Sequence, residues 1–211
     1  MSHDDFETEP VHGLPEEPPR GEDILWQGAP STWAMANRVF GLPLVVGYFA
    51  LLALWRMVDL LDRGEGLLVA LTSASWFVAL GLVTAGIILL MARMVTKATV
   101  YTVTSARVAM RIGVAVTLTL NLPYRWIESA DVRRRRDGSG DIALTMKGDT
   151  RISYLVLWPH ARPWRLNPAV PMLRCLPEVD TVARLIGEAG RARLTEAEAD
   201  PVREPAIVAA E

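Results

Sequence analysis

Two long runs of apolar residues dominate the first half of the chain. The first begins at residue 39, carries no charge up to residue 55 and continues through a mostly apolar flank, and the second covers 67–92 without a charge. About 20 apolar residues cross about 30 Å of hydrocarbon as a helix. We therefore predict two transmembrane helices, 39–61 and 67–92, joined as a hairpin. A buried helix pair in a soluble core is disfavoured because the second run has no charged face.

After residue 93 the pattern changes from helical spacing to an alternation of apolar and polar residues. From Pro177 onward, helical spacing returns and predicts one amphipathic helix of about three turns. The expected fold is a membrane-anchored α+β chain, in which residues 93–194 form a small bent antiparallel sheet or partly open β-barrel capped by the C-terminal helix. The predicted strands are 98–104, 107–112, 116–122, 141–147, 151–158 and 172–176, with a turn at 137–140.

Charge divides the chain into three parts. Segment 1–23 holds eight acidic residues, and the tail after Leu194 holds five. Their acidity and lack of apolar periodicity predict disorder over 1–23 and 195–211, with 24–38 as an entry segment before the first helix. From Arg93 to Leu194 the balance reverses to 17 basic against 8 acidic residues, which favours binding to anionic surfaces.

Basic residues at the ends of the hairpin predict its orientation. Arg38 precedes the first helix, while Arg93 and Lys97 begin a larger basic cluster after the second one. Positive charge accumulates on the cytoplasmic side, so we expect a multi-pass membrane protein with both termini in the cytoplasm. The single cysteine, Cys175, excludes an intramolecular disulfide and agrees with an intracellular domain.

The stretch "YLVLWPHARPWRLNPAVPM", residues 154–172, combines aromatic, cationic and proline residues. Trp and Arg dominate the hot spots of protein interfaces, and prolines reduce the entropy lost on docking. Packing of this stretch over a sheet edge is the alternative. We predict a partner-binding surface formed by Trp158, His160, Arg162, Trp164 and Arg165.

Catalysis and metal binding receive little support from the residue types. His160 and Cys175 would be the only candidates for a Cys–His nucleophile, and neither an orienting residue nor an oxyanion-type glycine turn accompanies them. A pigment-ligating role for His160 is disfavoured because it lies between Pro159 and Arg162 rather than on an apolar helix. A loop histidine with a packing or hydrogen-bonding role is the ordinary expectation. We predict no enzymatic activity, no metal site and no cofactor.

Four consecutive arginines, Arg133, Arg134, Arg135 and Arg136, precede the turn at 137–140. They form either a solvated hairpin end or a patch for anionic lipid headgroups, worth about 1 kcal/mol per basic residue near the membrane. Nucleic acid is disfavoured as a partner, because the aromatic residues of this basic region are not spaced as stacking platforms on one strand face.

Several segments carry a resemblance to known families. "YTVTSARVAMRIGV", "LNLPYRWIESADV" and the upstream "GEDILWQGAPS" resemble bacterial membrane-anchored PH-like domains, over about 21–189. "RIGVAVTLTLNLPYRWIESADVR", "GDIALTM", "YLVLWPHARPWRL" and "PMLRCLP" resemble, in that order, the PuhB family of photosynthetic complex assembly proteins of purple phototrophic bacteria.

The resemblance implies a function that the residue pattern alone does not. It implies an assembly factor for the photosynthetic reaction centre and core light-harvesting complex, acting by transient protein binding at the cytoplasmic face of the inner (intracytoplasmic) membrane. The implied partners are reaction-centre subunits, core light-harvesting polypeptides and membrane lipids, and self-association is left open. The alternative is a lipid-sensing, membrane-organising PH-like module without a photosynthetic partner.

Overall fold

The computed structural model describes residues 13–14, 16–114, 117–148 and 152–199. The chain divides into two compact units, one formed by Ser31–Lys97 and the other by the residues up to Pro30 together with those from Ala98 onward. The first unit is helical, and the second contains the strands.

The helical unit contains α1 (Thr32–Arg38), α2 (Leu42–Asp62) and α3 (Leu67–Lys97). By length and composition, α2 and α3 are both apolar and long enough to cross a membrane. Their bounds differ from the predicted ones, because α3 continues through the basic residues up to Lys97. The two helices pack closely where Gly81 meets Phe49, since a Cβ at Gly81 would lie 2.9 Å from the Phe49 Cβ.

The strands of the second unit form two antiparallel four-stranded sheets. The first sheet has the order β1-β2-β3-β4 and consists of β1 (Ile24–Gly28), β2 (Val100–Thr104), β3 (Arg107–Ile112) and β4 (Leu118–Pro123). The second has the order β5-β6-β8-β7 and consists of β5 (Ile127–Arg134), β6 (Gly140–Met146), β7 (Ala161–Leu166) and β8 (Ala169–Leu176).

One helical turn and one long helix complete this unit. The turn, α4 (Tyr154–Leu157), packs against β7 and β8, and the long helix, α5 (Val179–Ala199), follows the second sheet. The shared core contains inward-facing residues of both sheets together with the apolar face of α5, including Tyr101, Met110, Ile142, Leu173, Val182 and Ile186. The C-terminal helix and the antiparallel strands were predicted. The described strands form two antiparallel sheets, so of the two predicted forms the bent-sheet arrangement is confirmed, and the described strands do not close into a barrel.

The strand predicted at 151–158 is wrong. Within it, Tyr154–Leu157 form a helical turn, in which the Leu157 amide donates to the Ser153 carbonyl oxygen at 3.2 Å. Leu157 is buried, whereas Leu155 and Val156 are exposed. A short apolar run is compatible with either a strand or a helix, and here burial of one leucine decides the conformation. The sequence also left β1 and β7 unassigned.

The predicted disorder of the two tails differs from the structure where the tails are described. Leu14 is buried, and the Glu22 carboxylate accepts a hydrogen bond from Arg107 Nε at 2.9 Å and from Thr104 Oγ1 at 2.7 Å. At the other end, α5 continues to Ala199. The remaining tail residues, 1–12, 15 and 200–211, lie outside the described ranges.

Candidate functional site

A bulge in β7 dominates the exposed surface of the second sheet. β7 pairs with β8 at Ala161, opposite Pro171, and at Leu166, opposite Ala169. Between these pairs, the four residues 162–165 face the single residue Val170, so the β7 backbone is pushed out of the ladder.

Trp164 occupies this bulge in a left-handed conformation, with φ 62°. Such a conformation costs a non-glycine residue about 1–2 kcal/mol. The side chain gains no burial in return, because Trp164 is 97% exposed. A large aromatic residue held outward at a cost in backbone energy is an outlier that the stability of the fold does not explain.

Further exposed apolar side chains lie on the neighbouring element. Because α4 contacts β7, its exposed residues border the bulge. We call the set the α4–β7 surface, and its members are Leu155, Val156, Trp158, Arg162, Trp164, Arg165 and Leu166. This surface combines exposed aliphatic and aromatic side chains with two guanidinium groups, which is the composition of a docking site.

Arg162 has a partner on the far edge of the same sheet. Its Nη1 donates to Asp131 Oδ2 at 2.8 Å, and the side chains are 37% and 57% exposed. Since β5 and β7 are the two outer strands of the sheet, the ion pair joins residues that are distant in both strand order and sequence.

His160 does not belong to this surface, which corrects its assignment as a partner-binding residue. The side chain is buried, with 1% exposure. Its Nδ1 lies 2.6 Å from the Tyr101 hydroxyl and its Nε2 lies 3.1 Å from Thr99 Oγ1. His160 therefore connects β2 and the residue before it to the start of β7, which is the packing and hydrogen-bonding role expected of a loop histidine.

Burial also determines the protonation of His160. Desolvation, with a smaller contribution from the Arg174 guanidinium, lowers the pKa of His160 to about 3. Cys175 is buried as well, and its backbone N–H donates to Asp141 Oδ1 at 2.9 Å. A neutral, enclosed imidazole and an enclosed thiol offer no accessible acid, base or nucleophile. Within the described ranges, no group of three or more His, Cys, Asp or Glu side chains could hold a metal ion.

The four arginines do not form one patch. Arg134 pairs with Asp180 on α5, and Arg135 Nη2 donates to the buried Asp141 at 2.9 Å. Arg133 and Arg136 are exposed. Arg135 is therefore part of the internal structure, and the predicted headgroup patch is reduced to Arg133 and Arg136 with a contribution from the exposed Arg134.

Sequence reasoning missed four residues of this region. Leu155 and Val156 were assigned to a strand, and Leu166 was treated as part of a loop. Their apolar character and their position beside the two tryptophans could have identified them as members of the same surface. Nothing in the sequence pointed to Asp131. Its side chain contacts Arg162 only in the folded sheet, and the two residues are 31 positions apart in the chain.

Comparison with known proteins gives a family and a relative. The sequence matches the family described as Bacterial PH domain over residues 40–190. It is 43% identical over 198 residues, covering 93% of this chain and 92% of the relative, to a protein of Rhodobacter capsulatus named "Uncharacterized 23.7 kDa protein in puhA 5'region". No solved structure matches the chain.

Proposed function

The chain belongs to the bacterial PH domain family, and from this premise we propose that it is an assembly factor for the photosynthetic reaction centre and core light-harvesting complex. In this proposal α2 and α3 anchor the chain in the inner membrane, with both termini in the cytoplasm. The sheet unit binds a reaction-centre or light-harvesting polypeptide transiently and orients it until neighbouring subunits join.

The photosynthetic assignment is supported by the relative and by the sequence resemblance. The name of the relative refers to the 5' region of puhA. Identity of 43% over nearly the full length of both chains makes a related role the simplest expectation. The segments that resemble the PuhB family include 154–166, which contains the whole α4–β7 surface.

The observation that carries a docking function is the conformation of Trp164. Its left-handed backbone opposes folding and its exposed side chain gains no burial, so neither feature is explained by the stability of the free protein. A partner that covers the indole would compensate for both. Trp158, Arg162 and Arg165 border it and are of the types that form interface hot spots. We propose that these four residues form the centre of the docking site.

We also propose that the protein acts without catalysing a reaction. His160 is neutral and enclosed by Thr99 and Tyr101, and Cys175 is buried, so a substrate would reach neither side chain without local unfolding. A replacement of Cys175 by Ala that leaves the amount of reaction centre unchanged, at normal protein abundance, would agree with this role.

The function is tested by complementation of a deletion strain with Trp164→Ala/Arg165→Ala. The matched control is Arg125→Ala/Trp126→Ala, because this pair is also an exposed Arg and Trp, with the Arg125 guanidinium 5.5 Å from the ring centre. We expect both proteins at wild-type abundance in the membrane. Only the first should lower the amount of assembled reaction centre and the co-purification of its subunits.

Two results would contradict the proposal. One is normal assembly of the reaction centre in the deletion strain itself. The other is an equal loss of assembly in both double variants, since it would show that the α4–β7 surface has no special role.

The alternative, a lipid-sensing module without a photosynthetic partner, depends on the arginine patch. Arg133 and Arg136 are exposed and able to attract anionic headgroups, although Arg134 and Arg135 are engaged in ion pairs. Arg133→Glu/Arg136→Glu distinguishes the two functions. If the lipid module is correct, this variant loses its function in vivo while Trp164→Ala/Arg165→Ala retains it.

A further inference from the structure

The α4–β7 surface has a marked charge asymmetry within its own sequence. Residues 154–172 contain Arg162 and Arg165 and no Asp or Glu. The carboxylate that pairs with Arg162 comes instead from β5, where Asp131 lies on the opposite edge of the sheet. Asp131 therefore reaches the cationic and apolar α4–β7 surface only because the folded sheet brings β5 and β7 together.

This ion pair contributes little to the stability of the fold. The two side chains are 37% and 57% exposed, and a pair of this kind is strongly screened by water. Breaking the ion pair leaves no buried charge, because water hydrates the exposed Asp131 carboxylate without any movement of the backbone. Arg162 can therefore exchange its partner at a small free-energy cost.

We propose that the α4–β7 surface recognises an acidic, apolar protein segment, and that Asp131 occupies Arg162 until a carboxylate of that segment replaces it. This inference rests on the proposed function and names the chemistry of its partner. The apolar residues Leu155, Trp164 and Leu166 contact the apolar part of the segment, while Arg162 and Arg165 pair with its carboxylates. Asp131 thereby acts as an internal competitor that weakens binding to any weakly acidic surface.

A protein carboxylate fits this arrangement better than a lipid surface. A guanidinium binds a carboxylate through two parallel N–H groups, a directed contact that justifies displacing another carboxylate. A membrane attracts mainly through net charge, and the more exposed partner of the pair, Asp131, would be repelled by anionic headgroups. Asp131 would therefore compete with an acidic protein segment for Arg162 and would also repel the α4–β7 surface from an anionic bilayer.

The test measures the affinity of the full-length protein, in nanodiscs of phosphatidylcholine, for purified reaction-centre–core complex. We expect Asp131→Asn to tighten binding about twofold to fivefold, the range that corresponds to one exposed ion pair. The control is Asp180→Asn, which removes the same charge from another exposed pair, Asp180–Arg134, with side chains 64% and 63% exposed. It should leave the affinity unchanged.

A second pair of variants shows whether the effect passes through Arg162. Arg162→Gln should weaken binding, and Asp131→Asn should have no further effect when it is added to Arg162→Gln. Nanodiscs that contain anionic phosphatidylglycerol, without any reaction centre, serve as the lipid probe. The proposal of a protein partner would be overturned if Asp131→Asn bound these anionic nanodiscs more tightly than the wild type and Trp164→Ala bound them more weakly. The bilayer would then be the ligand.

The failures of this inference and of the proposed function are distinguishable. If the wild-type protein binds no component of the complex, the proposed function fails, and this inference fails with it. If the wild-type protein binds but Asp131→Asn is no tighter, or if Asp180→Asn tightens binding equally, the competitor role of Asp131 alone is overturned.

Discussion

The Tyr101 hydroxyl lies 2.6 Å from Nδ1 of His160, and both side chains are fully enclosed. The Arg174 backbone N–H donates to the same hydroxyl oxygen at 3.2 Å. With the hydroxyl hydrogen directed at Nδ1, Nε2 carries the ring proton and donates to Thr99 Oγ1 at 3.1 Å. In this arrangement the imidazole is neutral, and burial raises the pKa of Tyr101 so that its hydroxyl stays protonated.

This network predicts a specific loss of stability in acid. The pKa of His160 falls to about 3 in the folded chain, against about 6.5 when unfolded. Below pH 6.5 the unfolded chain binds a proton that the folded chain does not, so the stabilisation is complete above pH 6.5. It is lost as the pH falls toward 3, by up to about 1.4 kcal/mol per pH unit.

Thermal unfolding between pH 4.5 and 7.5 measures this effect by comparing the wild type with His160→Gln. The variant is less stable at pH 7, because it loses hydrogen bonds to Tyr101 and Thr99, but its stability should depend less on pH. Equal slopes for the two proteins would show that His160 is not held neutral by burial.

Arg135 and Arg136 are neighbours in the sequence and should respond oppositely to mutation. Arg135→Ala leaves the buried carboxylate of Asp141 without its ion-pair partner, which costs about 3 kcal/mol or more. Arg136→Ala removes an exposed side chain and should change stability by less than about 0.5 kcal/mol. Chemical denaturation of both variants checks this, and similar values for the two would argue against the Arg135–Asp141 contact.

Local patterns predicted the parts of the fold that depend on neighbouring residues. β3 has the predicted bounds, Arg107–Ile112. The C-terminal helix was also predicted, although it is longer than its apolar spacing suggested. Two helices of membrane-spanning length follow directly from two uncharged runs.

The parts that were not predicted depend on contacts distant in sequence. Burial of His160 needs Thr99 and Tyr101, which lie about sixty positions earlier, and the Asp131–Arg162 pair joins opposite sheet edges. The left-handed backbone conformation of Trp164 could not be predicted from the sequence, because Gly or Asn normally occupies such positions. The two tryptophans and two arginines of the candidate site were predicted, but their geometry was not.

Two glycines in the same unit should respond in opposite ways to replacement by alanine. A Cβ at Gly140 would lie 2.4 Å from the Arg133 carbonyl oxygen and 2.9 Å from the Val179 methyl groups, so Gly140→Ala forces β5 and α5 apart. We expect a loss of about 2 kcal/mol or more. Gly187 lies within α5 with open space around its Cβ position, so Gly187→Ala should stabilise the helix by about 0.5–1 kcal/mol. Unfolding of both variants in denaturant gives the comparison.

The orientation in the membrane is predicted only from the basic residues that flank the two apolar helices. Reporter fusions at residues 20 and 195 should both report the cytoplasm, since Arg93 and Lys97 follow the second apolar helix. A periplasmic signal from the fusion at residue 195 would reverse the orientation and exclude a cytoplasmic docking surface.

The bulge at Trp164 predicts that one substitution stabilises the protein and weakens its docking. Glycine adopts φ 62° without the cost of about 1–2 kcal/mol that tryptophan incurs, while it loses about 0.5–1 kcal/mol through its greater freedom in the unfolded chain. Because the side chain is 97% exposed, its removal forfeits almost no burial. Trp164→Gly should therefore unfold at a slightly higher denaturant concentration than the wild type, by up to about 1 kcal/mol.

The same variant should bind the reaction-centre–core complex roughly thirtyfold more weakly, as expected for loss of a hot spot worth at least about 2 kcal/mol. Trp126→Gly is the matched control, because Trp126 is half exposed and has no left-handed backbone, so it should lose stability and keep its affinity. If Trp164→Gly instead proves less stable than the wild type, the indole has contacts that hold the bulge in place. Its exposure would then no longer indicate a docking surface.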